Sequence, residues 1–583
     1  MRIRKLLRVR FVVYSFTEQE KIMAELTPMM QKYMETKEQY KDCILFYRLG
    51  DFYEMFFDDA IVASKELEIA LTGKSCGLEE RAPMCGIPYH AVETYLARLV
   101  SRGYKVAICE QVEDPKLAKG LVKREVIRVV TPGTNLDVQS LEASKNNYLM
   151  CIAYTSDGIG ISAADVTTGD YYVTEVEDLR KLKDELMKYE PSEIICNEAF
   201  LVSGYDMEDL KSRLHMSVSS LESHMFDDDG CRRILMRHFK VNTLIGLGVE
   251  EFPTGILAAG ALLQYLYDTQ KTDLEHFTHI SPYLTSKYML LDSSTRRNLE
   301  LTETLREKQK RGSLLWVLDK TKTAMGGRLL RNYIEQPLID KEEMEKRLDA
   351  IQELNQDSIS RDEIREYLNP VYDLERLLSK VTYKTANPRD LIAFRNSLQM
   401  LPPIKTVLAG FQKEELAAIR EEIDGLEDIY QLIDEAIVEE PPISIREGGM
   451  IKDQFDETID HLRAAKHDGK QWLVQLEEED RERTGIKNLK IKKNNVFGYF
   501  FEVTNSYKDL VPEDYIRKQT LANAERYTTP RLKELEDTIL NAEDKLQTLE
   551  YDIFCRIRDT IAQELVRIQN TAKALAKLDV YAS

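Results

Sequence analysis

Two short, mainly apolar stretches, residues 46–49 and 52–57, are separated by Gly50-Asp51. A Gly-Asp pair between two apolar runs is typical of a tight turn, so the pattern predicts a β-hairpin. Because side chains along a strand alternate between its faces, Phe52 and Glu54 are expected on one face and Tyr53 and Met55 on the other. Tyr53 and Met55 can contribute to a core, which leaves an aromatic ring and a carboxylate side by side on a rigid backbone.

The segment that follows the hairpin predicts mixed helices and strands. Asp58-Asp59 is expected to cap a helix that runs from Ala60 to Leu71. A further helix is predicted over residues 91–101 and a strand over 105–111. The segment ends at Thr131-Pro132-Gly133-Thr134, a turn-rich boundary.

A different pattern begins near Asn147. Three successive apolar strands are followed by a helix over residues 179–187 and a strand over residues 193–196. Beyond Gly255 the pattern is helical as far as about Glu440. The chain therefore predicts a strand-rich unit followed by a long helical one.

The most regular pattern lies in the last quarter of the chain. A helical stretch over residues 454–482 leads into a pair of strands within 489–503, and a returning helix starts at Pro530. From Pro530 to Leu578 a continuous helix would reach roughly 70 Å, since each residue adds about 1.5 Å. The apolar residues of this helix follow steps of three and four, a heptad seam formed by Leu532, Leu535, Ile539, Ala542, Leu546, Leu549 and Ile553.

Charge and composition restrict the function. The net charge is −20, yet residues 480–533 carry 12 Lys or Arg against 7 Asp or Glu, so we expect a local basic surface on an acidic body. No apolar run reaches the length of a membrane span. The eight cysteines contain no C-x-x-C pair, which indicates a reducing cytosol and argues against structural zinc or a disulfide framework.

Two interpretations are open for Phe52 and Glu54. In the first, Phe52 is a buried ring on a half-buried strand and Glu54 lies at the solvated edge. In the second, Phe52 is an exposed wedge that enters a base step from the minor groove of DNA and kinks the duplex. A mispaired step opens at lower cost, and the neighbouring carboxylate would then hydrogen-bond the displaced base.

Several motifs decide between these interpretations. They are Thr27–Met30, Leu49–Glu54, Ala82–Ala91, Val106–Gln111 and Val129–Thr134, and they closely resemble segments of the MutS family of DNA mismatch-recognition proteins. The resemblance implies that the Phe-x-Glu motif of that family falls on residues 52 and 54. It assigns the mismatch wedge to the phenylalanine and the contact to the mispaired base to the glutamate.

The resemblance extends over about residues 24–583. Residues 291–301, 312–319 and 325–328 are similar to the opening of the MutS helical core. The strands after Asn147 resemble an RNase H-like connector domain, and the strand pair near residue 490 resembles the MutS clamp. The expected fold class is a multidomain α+β and α/β protein with a mixed α/β mismatch-binding domain, an RNase H-like connector, a long-helix core with levers, and a small clamp with a β-element.

The clamp of the family grips the DNA backbone. Candidate phosphate contacts in this chain are Lys487, Lys490, Lys492, Lys493, Lys508, Arg517, Lys518 and Arg526. The alternative for each residue is a solvated surface charge. Contacts of this kind supply affinity and position but no sequence information.

The implied division of the chain starts with an N-terminal extension, residues 1–22, that does not belong to the fold. The domains that follow are the mismatch-binding domain at 23–134, the connector at 145–252, the helical core and lever at 253–440, the clamp at 441–530 and the returning lever helix at 531–583.

Family members continue into a P-loop ATPase and dimerisation domain, and this domain is expected to be absent here. Gly73-Lys74-Ser75 resembles the end of a P-loop, but residue 68 is Glu where the motif needs Gly, and the chain has no Walker A sequence. We therefore expect no cofactor and no ATPase activity in this chain, with ATP and Mg²⁺ bound only in the missing domain. Its mismatch preference is expected to be weak or absent, and its encirclement of DNA is expected to be weakened.

The resemblance also implies partners and a location. They are double-stranded DNA with mismatches or small loops, a MutL-type protein, and a homodimer in the full-length family that is weakened here. The expected location is the cytoplasm, at the nucleoid, and no membrane contact is expected.

Three other functions remain as alternatives. An RNase H-like nuclease would be centred on Asp165, but a two-metal nuclease needs several convergent acids and no clear second one is present on these strands. A coiled-coil scaffold would use the lever helices and leave Phe52 and Glu54 without a role. A MutS paralogue without mismatch function typically lacks the Phe-x-Glu motif.

Overall fold

The structure is a computed structural model that describes residues 26–113, 120–137, 141–213, 216–494 and 498–583. The expected N-terminal extension lies outside the described residues. Within these residues, three β-sheets follow one another along the chain, and helices separate or cover them. The sheets have six, six and four strands.

The first sheet has the strand order β3-β4-β2-β1-β5-β6. Strands β1 and β5 are parallel, and every other pair in the sheet is antiparallel. The strands are β1 (Cys43–Leu49), β2 (Phe52–Phe56), β3 (Thr72–Lys74), β4 (Ala82–Pro88), β5 (Lys105–Gln111) and β6 (Arg124–Val130), and the helices are α1 (Pro28–Gln39), α2 (Phe57–Leu67) and α3 (Val92–Val100).

The predicted hairpin is present, because Leu49 pairs with Phe52 across the two-residue turn. Gly50 has a φ of +59°, a left-handed conformation that glycine adopts without steric cost. The predicted helix cap is wrong. Helix α2 begins at Phe57, and the buried Asp59 instead accepts a 2.9 Å hydrogen bond from the Leu45 amide and forms a 2.9 Å ion pair with Lys37. Burial raises the pKa of Asp59.

The second sheet has the order β11-β10-β7-β8-β9-β12. Strands β7, β8 and β9 are antiparallel neighbours and β10 is parallel to β7, as expected for three hairpin-linked strands followed by a helical crossover. The strands are β7 (Leu149–Tyr154), β8 (Ile159–Asp165), β9 (Asp170–Val176), β10 (Glu193–Cys196), β11 (Ser217–Ser220) and β12 (Ser281–Pro282), and the helices are α4 (Leu179–Tyr189), α5 (Glu198–Leu201), α6 (Asp228–His238) and α7 (Pro253–Gln270).

The middle of the chain is helical, as predicted. Its largest buried cluster runs from Leu315 to Ile459 and includes residues of the two final helices. No helix of the described ranges combines the length and the apolar character needed to cross a membrane. The helices are α8 (Ser293–Asn298), α9 (Leu314–Leu318), α10 (Ala324–Glu335), α11 (Lys341–Gln356), α12 (Ser358–Leu368), α13 (Leu374–Thr382), α14 (Pro388–Leu398), α15 (Leu401–Leu408), α16 (Glu414–Glu422) and α17 (Glu427–Ala436).

The third sheet lies between two long helices and has four strands, two more than the sequence pattern predicts. The returning helix is also divided: α19 ends at Gln563 and a new helix begins at Leu565. The elements are α18 (Glu457–Thr484), β13 (Lys490–Asn494), β14 (Gly498–Thr504), β15 (Ile516–Thr520), β16 (Ala524–Thr528), α19 (Pro530–Gln563) and α20 (Leu565–Ala582).

The heptad seam of α19 is buried, because Leu532, Ile539 and Ile553 are each at most 2% exposed. The 34 residues of α19 span about 51 Å at 1.5 Å per residue. One part of the seam packs under the third sheet and the other part packs in the helical core. The helix therefore connects the small sheet to the core.

A buried glutamate joins the first two sheets. Glu193 is 0% exposed and accepts hydrogen bonds from the Thr131 hydroxyl, from the Gly133 amide at 3.2 Å and from the Tyr265 hydroxyl at 2.7 Å. The Lys105 ammonium lies 3.5 Å from the same carboxylate. Because these donors come from both sides of the junction, they fix the end of the first sheet against the second.

A close helix contact in the second unit provides a test of the packing. A Cβ on Gly260 of α7 would lie 2.3 Å from Cys231 Cβ on α6. Replacing an interior helix glycine with alanine normally stabilises a helix by about 1 kcal/mol. Here we expect Gly260→Ala to destabilise the unit by about 1–3 kcal/mol, because the methyl group overpacks the contact.

The measurement is hydrogen exchange of the β7, β8 and β9 amides under mild urea. Gly246→Ala is the control, because nothing lies within 4 Å of the added methyl group. Equal protection in both variants would show that the two helices are not in tight contact.

Candidate nucleic-acid interface

Phe52 is an exposed aromatic ring on a fixed backbone. Its residue is 47% exposed, whereas Tyr53 and Met55 on the opposite face are 4% and 0% exposed. Strand β2 is hydrogen-bonded on both sides, with Phe52 opposite Leu49 on β1 and opposite Pro88 on β4. The alternation predicted from the sequence is therefore present, and the interpretation of Phe52 as a buried ring is not what the structure shows.

Glu54 lies on the same face, two residues further along β2. It is half-buried and forms a 2.5 Å ion pair with Lys74 of the edge strand β3. Gly86 of β4 is its register partner, and a Cβ there would lie 3.6 Å from Glu54 Cγ and 3.9 Å from a ring carbon of Phe52. A glycine at this position keeps the space beside both side chains open.

One part of this face is covered and the other part is open. Met30 and Tyr33 of α1 pack on Leu45, Tyr47 and other buried residues of the sheet. Phe52, Glu54 and Lys74 are not part of that cluster, and Phe52 is exposed while Glu54 and Lys74 are partly exposed. An open strip that carries a ring, a carboxylate and an ammonium thus adjoins a rigid core.

A polar network supports the hairpin from the other face. The Tyr53 hydroxyl donates to Glu110, and Arg48 donates to the same carboxylate at 3.3 Å. The Arg48 guanidinium also lies 3.9 Å from the Tyr89 ring centroid. Burial, together with the bond to Glu110, raises the pKa of Tyr53, so the phenol stays a donor.

No local sequence pattern reveals this network. Arg48 precedes the turn and Glu110 lies within the Val106–Gln111 motif, but no periodicity indicates that they meet. Strand order brings them together, because β1 pairs with both β2 and β5.

Six of the eight candidate phosphate contacts lie on strands of the third sheet, and Lys487 and Lys508 lie outside those strands. Lys490, Lys492 and Arg526 share one face with Glu502 by register. Lys492 forms a 2.7 Å ion pair with Glu502, and Arg526 lies 3.9 Å from the same carboxylate. Lys490 on this face is exposed and pairs with no acidic side chain of the described residues.

The other candidates do not join that group. Lys493 lies on the opposite face and pairs with Glu543 of α19 at 3.4 Å. Lys508 and Arg517 both contact the Glu525 carboxylate, at 2.8 and 3.6 Å. Lys487 and Lys518 are exposed, and within the described ranges neither forms an ion pair. The structure thus gives several small basic sites rather than one patch.

Asp165, the centre of the nuclease alternative, is buried, and both oxygens of its carboxylate accept hydrogen bonds. One carboxylate oxygen accepts from the Asn146 side chain at 2.9 Å and from the Asn147 amide at 3.0 Å, and the other accepts from the amide and hydroxyl of Thr167. No group of three His, Cys, Asp or Glu in the described part of the chain could hold a metal ion. The geometry of Asp165 is that of a structural carboxylate.

The Asp227 side chain accepts a 2.9 Å hydrogen bond from the Gly230 amide and caps α6. The eight cysteines are free thiols, and seven of them are buried.

The first sheet carries an exposed ring beside a carboxylate, and the small third sheet, held by two long helices, carries exposed lysines. These features define a multidomain protein with two candidate nucleic-acid contacts. Comparison with protein families agrees with this class. Residues 27–139 match the model of MutS domain I, residues 147–280 that of MutS domain II, and residues 294–583 that of MutS domain III. The chain belongs to the MutS family.

Curated relatives agree over nearly the whole chain. The DNA mismatch repair protein MutS of Lachnoclostridium phytofermentans is 66% identical over 561 residues, which are 96% of this chain and 60% of that protein. The proteins of the same name from Ruminiclostridium cellulolyticum and Acetivibrio thermocellus are 55% and 53% identical, and each is covered to 64% of its length. The chain thus spans about three fifths of the length of these relatives.

The exposure of Phe52 leads to a stability prediction. We expect Phe52→Ala to change the unfolding free energy by less than about 1 kcal/mol, because the ring is outside the core. Met55→Ala, three residues away on the buried face, should cost about 2–5 kcal/mol, since it leaves a cavity. Thermal unfolding monitored in the first sheet distinguishes the two variants. A loss for Phe52→Ala as large as that for Met55→Ala would mean that Phe52 is a core residue.

Proposed function

We propose that this chain recognises mispaired or unpaired bases in duplex DNA and so initiates mismatch repair. The observation that carries the proposal is the exposed Phe52 ring, with Glu54 beside it on the same open strip. Membership of the MutS family and the printed name of the relatives support the same function.

The physical basis is the cost of opening a base step. An apolar ring that enters a step from the minor groove unstacks it at a cost of a few kcal/mol and kinks the duplex. A mispaired step is already poorly stacked and paired, so it opens at lower cost than a sound step. Phe52 would therefore insert more readily at a mispaired step than at a correctly paired one. Strand β2 is held between β1 and β4, so the ring stays in place and the DNA deforms when the two meet.

Glu54 would act after the step has opened. Its carboxylate lies on the side of the sheet to which the ring projects, so it can accept a hydrogen bond from a displaced base. Residues of the third sheet would hold the duplex by its phosphates without reading the bases.

The remaining parts of the function rest on the family alone. They are ATP-driven conversion to a sliding clamp, a MutL-type partner, a homodimer, and a cytoplasmic location at the nucleoid. The chain contains no P-loop sequence, so we assign ATP and Mg²⁺ to the part of the longer relatives that it does not cover.

The central experiment replaces Phe52 with alanine. It uses a chimera in which this chain takes the place of the matching part of the Lachnoclostridium phytofermentans relative, so that the uncovered part is supplied. We expect the wild-type chimera to prefer a G·T duplex over a sound duplex. We expect Phe52→Ala to abolish that preference, because no wedge remains, while affinity for sound DNA stays within about twofold, since phosphate contacts dominate it.

Binding is measured in a salt titration with both duplexes. Ile61→Ala, another exposed apolar residue of the same domain, is the matched control. A G·T preference that survives Phe52→Ala would refute the wedge assignment.

A second experiment addresses the small sheet. Lys490 and Lys493 lie on the same strand, but Lys490 has no acidic partner among the described residues and Lys493 pairs with Glu543. We expect Lys490→Ala to lower the slope of log affinity against log salt by about 0.9, the loss of one phosphate contact. Lys493→Ala should leave the slope unchanged, and both variants should affect G·T and sound duplexes alike. Equal slopes for Lys490→Ala and wild type would remove Lys490 from the interface.

A further inference from the structure

The Glu54 carboxylate, which lies beside the proposed Phe52 wedge, already forms an ion pair. Lys74 places its ammonium 2.5 Å from Glu54, and the two side chains are only 34% and 17% exposed. We propose that Lys74 is a specificity-determining positioning residue, a counter-ion that holds Glu54 until a displaced base replaces it. The inference rests on the proposed function of Phe52 and Glu54 and adds a residue and an exchange step to it.

The position of Lys74 in the sheet suits this exchange. It ends the short edge strand β3, whose partner β4 lies between it and β2. Its ammonium is also 5.6 Å from the Phe56 ring centroid, on the same face as Glu54. Gly86 places no side chain between β2 and β3 at the level of Glu54. Gly86 therefore puts no side chain in the way of Glu54 as it turns from Lys74 toward the Phe52 ring.

The charges explain why the pair matters for specificity. On a sound duplex the pair stays closed, and the site presents no net charge to the phosphates. When a weakened step opens, Glu54 bonds to the base and the freed Lys74 ammonium contacts a phosphate. The complex with a mismatch therefore has one more phosphate contact than the complex with sound DNA.

The alternative is that Lys74 is a permanent phosphate contact or a purely structural edge residue. A permanent contact would contribute equally to both complexes. A structural residue would affect folding but not the difference between duplexes. The difference in salt dependence between a G·T duplex and a sound duplex separates these cases.

The first test needs no DNA. A carbodiimide joins a carboxylate and an amine that are in ion-pair contact by an amide bond, and the carbodiimide takes up the water that is released. We expect a Glu54–Lys74 cross-link in the 583-residue chain, detected by mass spectrometry of its peptides. It should be lost in Lys74→Arg, which keeps the charge but provides no reactive amine. Lack of this cross-link in the wild-type chain would overturn the proposal.

The second test measures affinity against salt, on the 583-residue chain and on the chimera. For the wild-type chimera we expect the slope of log affinity against log salt to be steeper on G·T than on sound DNA by about 0.9, one phosphate contact. The preference for G·T should thus grow about threefold when salt falls from about 200 to 50 mM. Lys74→Arg should retain this difference, whereas Lys74→Met and Glu54→Gln should abolish it. The 583-residue chain should show a smaller difference, because its mismatch preference is expected to be weak.

Equal wild-type slopes on the two duplexes, or an unchanged difference in Lys74→Met, would overturn the exchange. Thermal unfolding confirms that each variant is folded, and the Lys74→Arg variant separates charge from packing. The two proposals can fail separately. If Phe52→Ala abolishes the G·T preference but the wild-type slopes on the two duplexes are equal, Phe52 is the wedge and Lys74 does not have the proposed role.

Discussion

The structure depends on the strand β2, which is hydrogen-bonded on both sides and, from Phe52 to Met55, alternates its side chains between an open face and a buried one. Tyr53 and Met55 enter the core of the first domain, and this forces Phe52 and Glu54 to the open side. The ring cannot turn inward without removing Tyr53 and Met55 from the core. An exposed apolar ring is thus maintained by the stability of the sheet that carries it, and the rest of the molecule positions that sheet.

Two polar arrangements complete this constraint. On the buried side, the Glu110 carboxylate accepts hydrogen bonds from Tyr53 and Arg48 and so fixes the base of the hairpin. On the open side, Lys74 holds Glu54. The two arrangements use the same strand and opposite faces, so one stabilises the hairpin while the other remains available for exchange. Glu193 of β10 is fully buried and accepts hydrogen bonds from Thr131 and Gly133, so it connects the second sheet to the end of the first.

The hairpin, the three antiparallel strands and the buried heptad seam could be predicted from the sequence because each has a period that is visible locally. The cap at Asp58-Asp59 could not, since Asp59 is used by Lys37 and by the Leu45 amide, groups distant in sequence. Strands β15 and β16 have no recognisable local pattern, because charged residues such as Arg517, Lys518 and Arg526 interrupt their apolar residues. The partners of Glu54 and Lys493 also depend on strand order and helix packing, which no local pattern reveals.

The most direct measurement of the central claim places a photoreactive benzoylphenylalanine at position 52 of the chimera, bound to a duplex with one G·T pair. The account predicts that cross-links concentrate at the mispaired step and disappear when the same duplex is fully paired. Cross-links spread evenly along the duplex, or formed only within the protein, would contradict it.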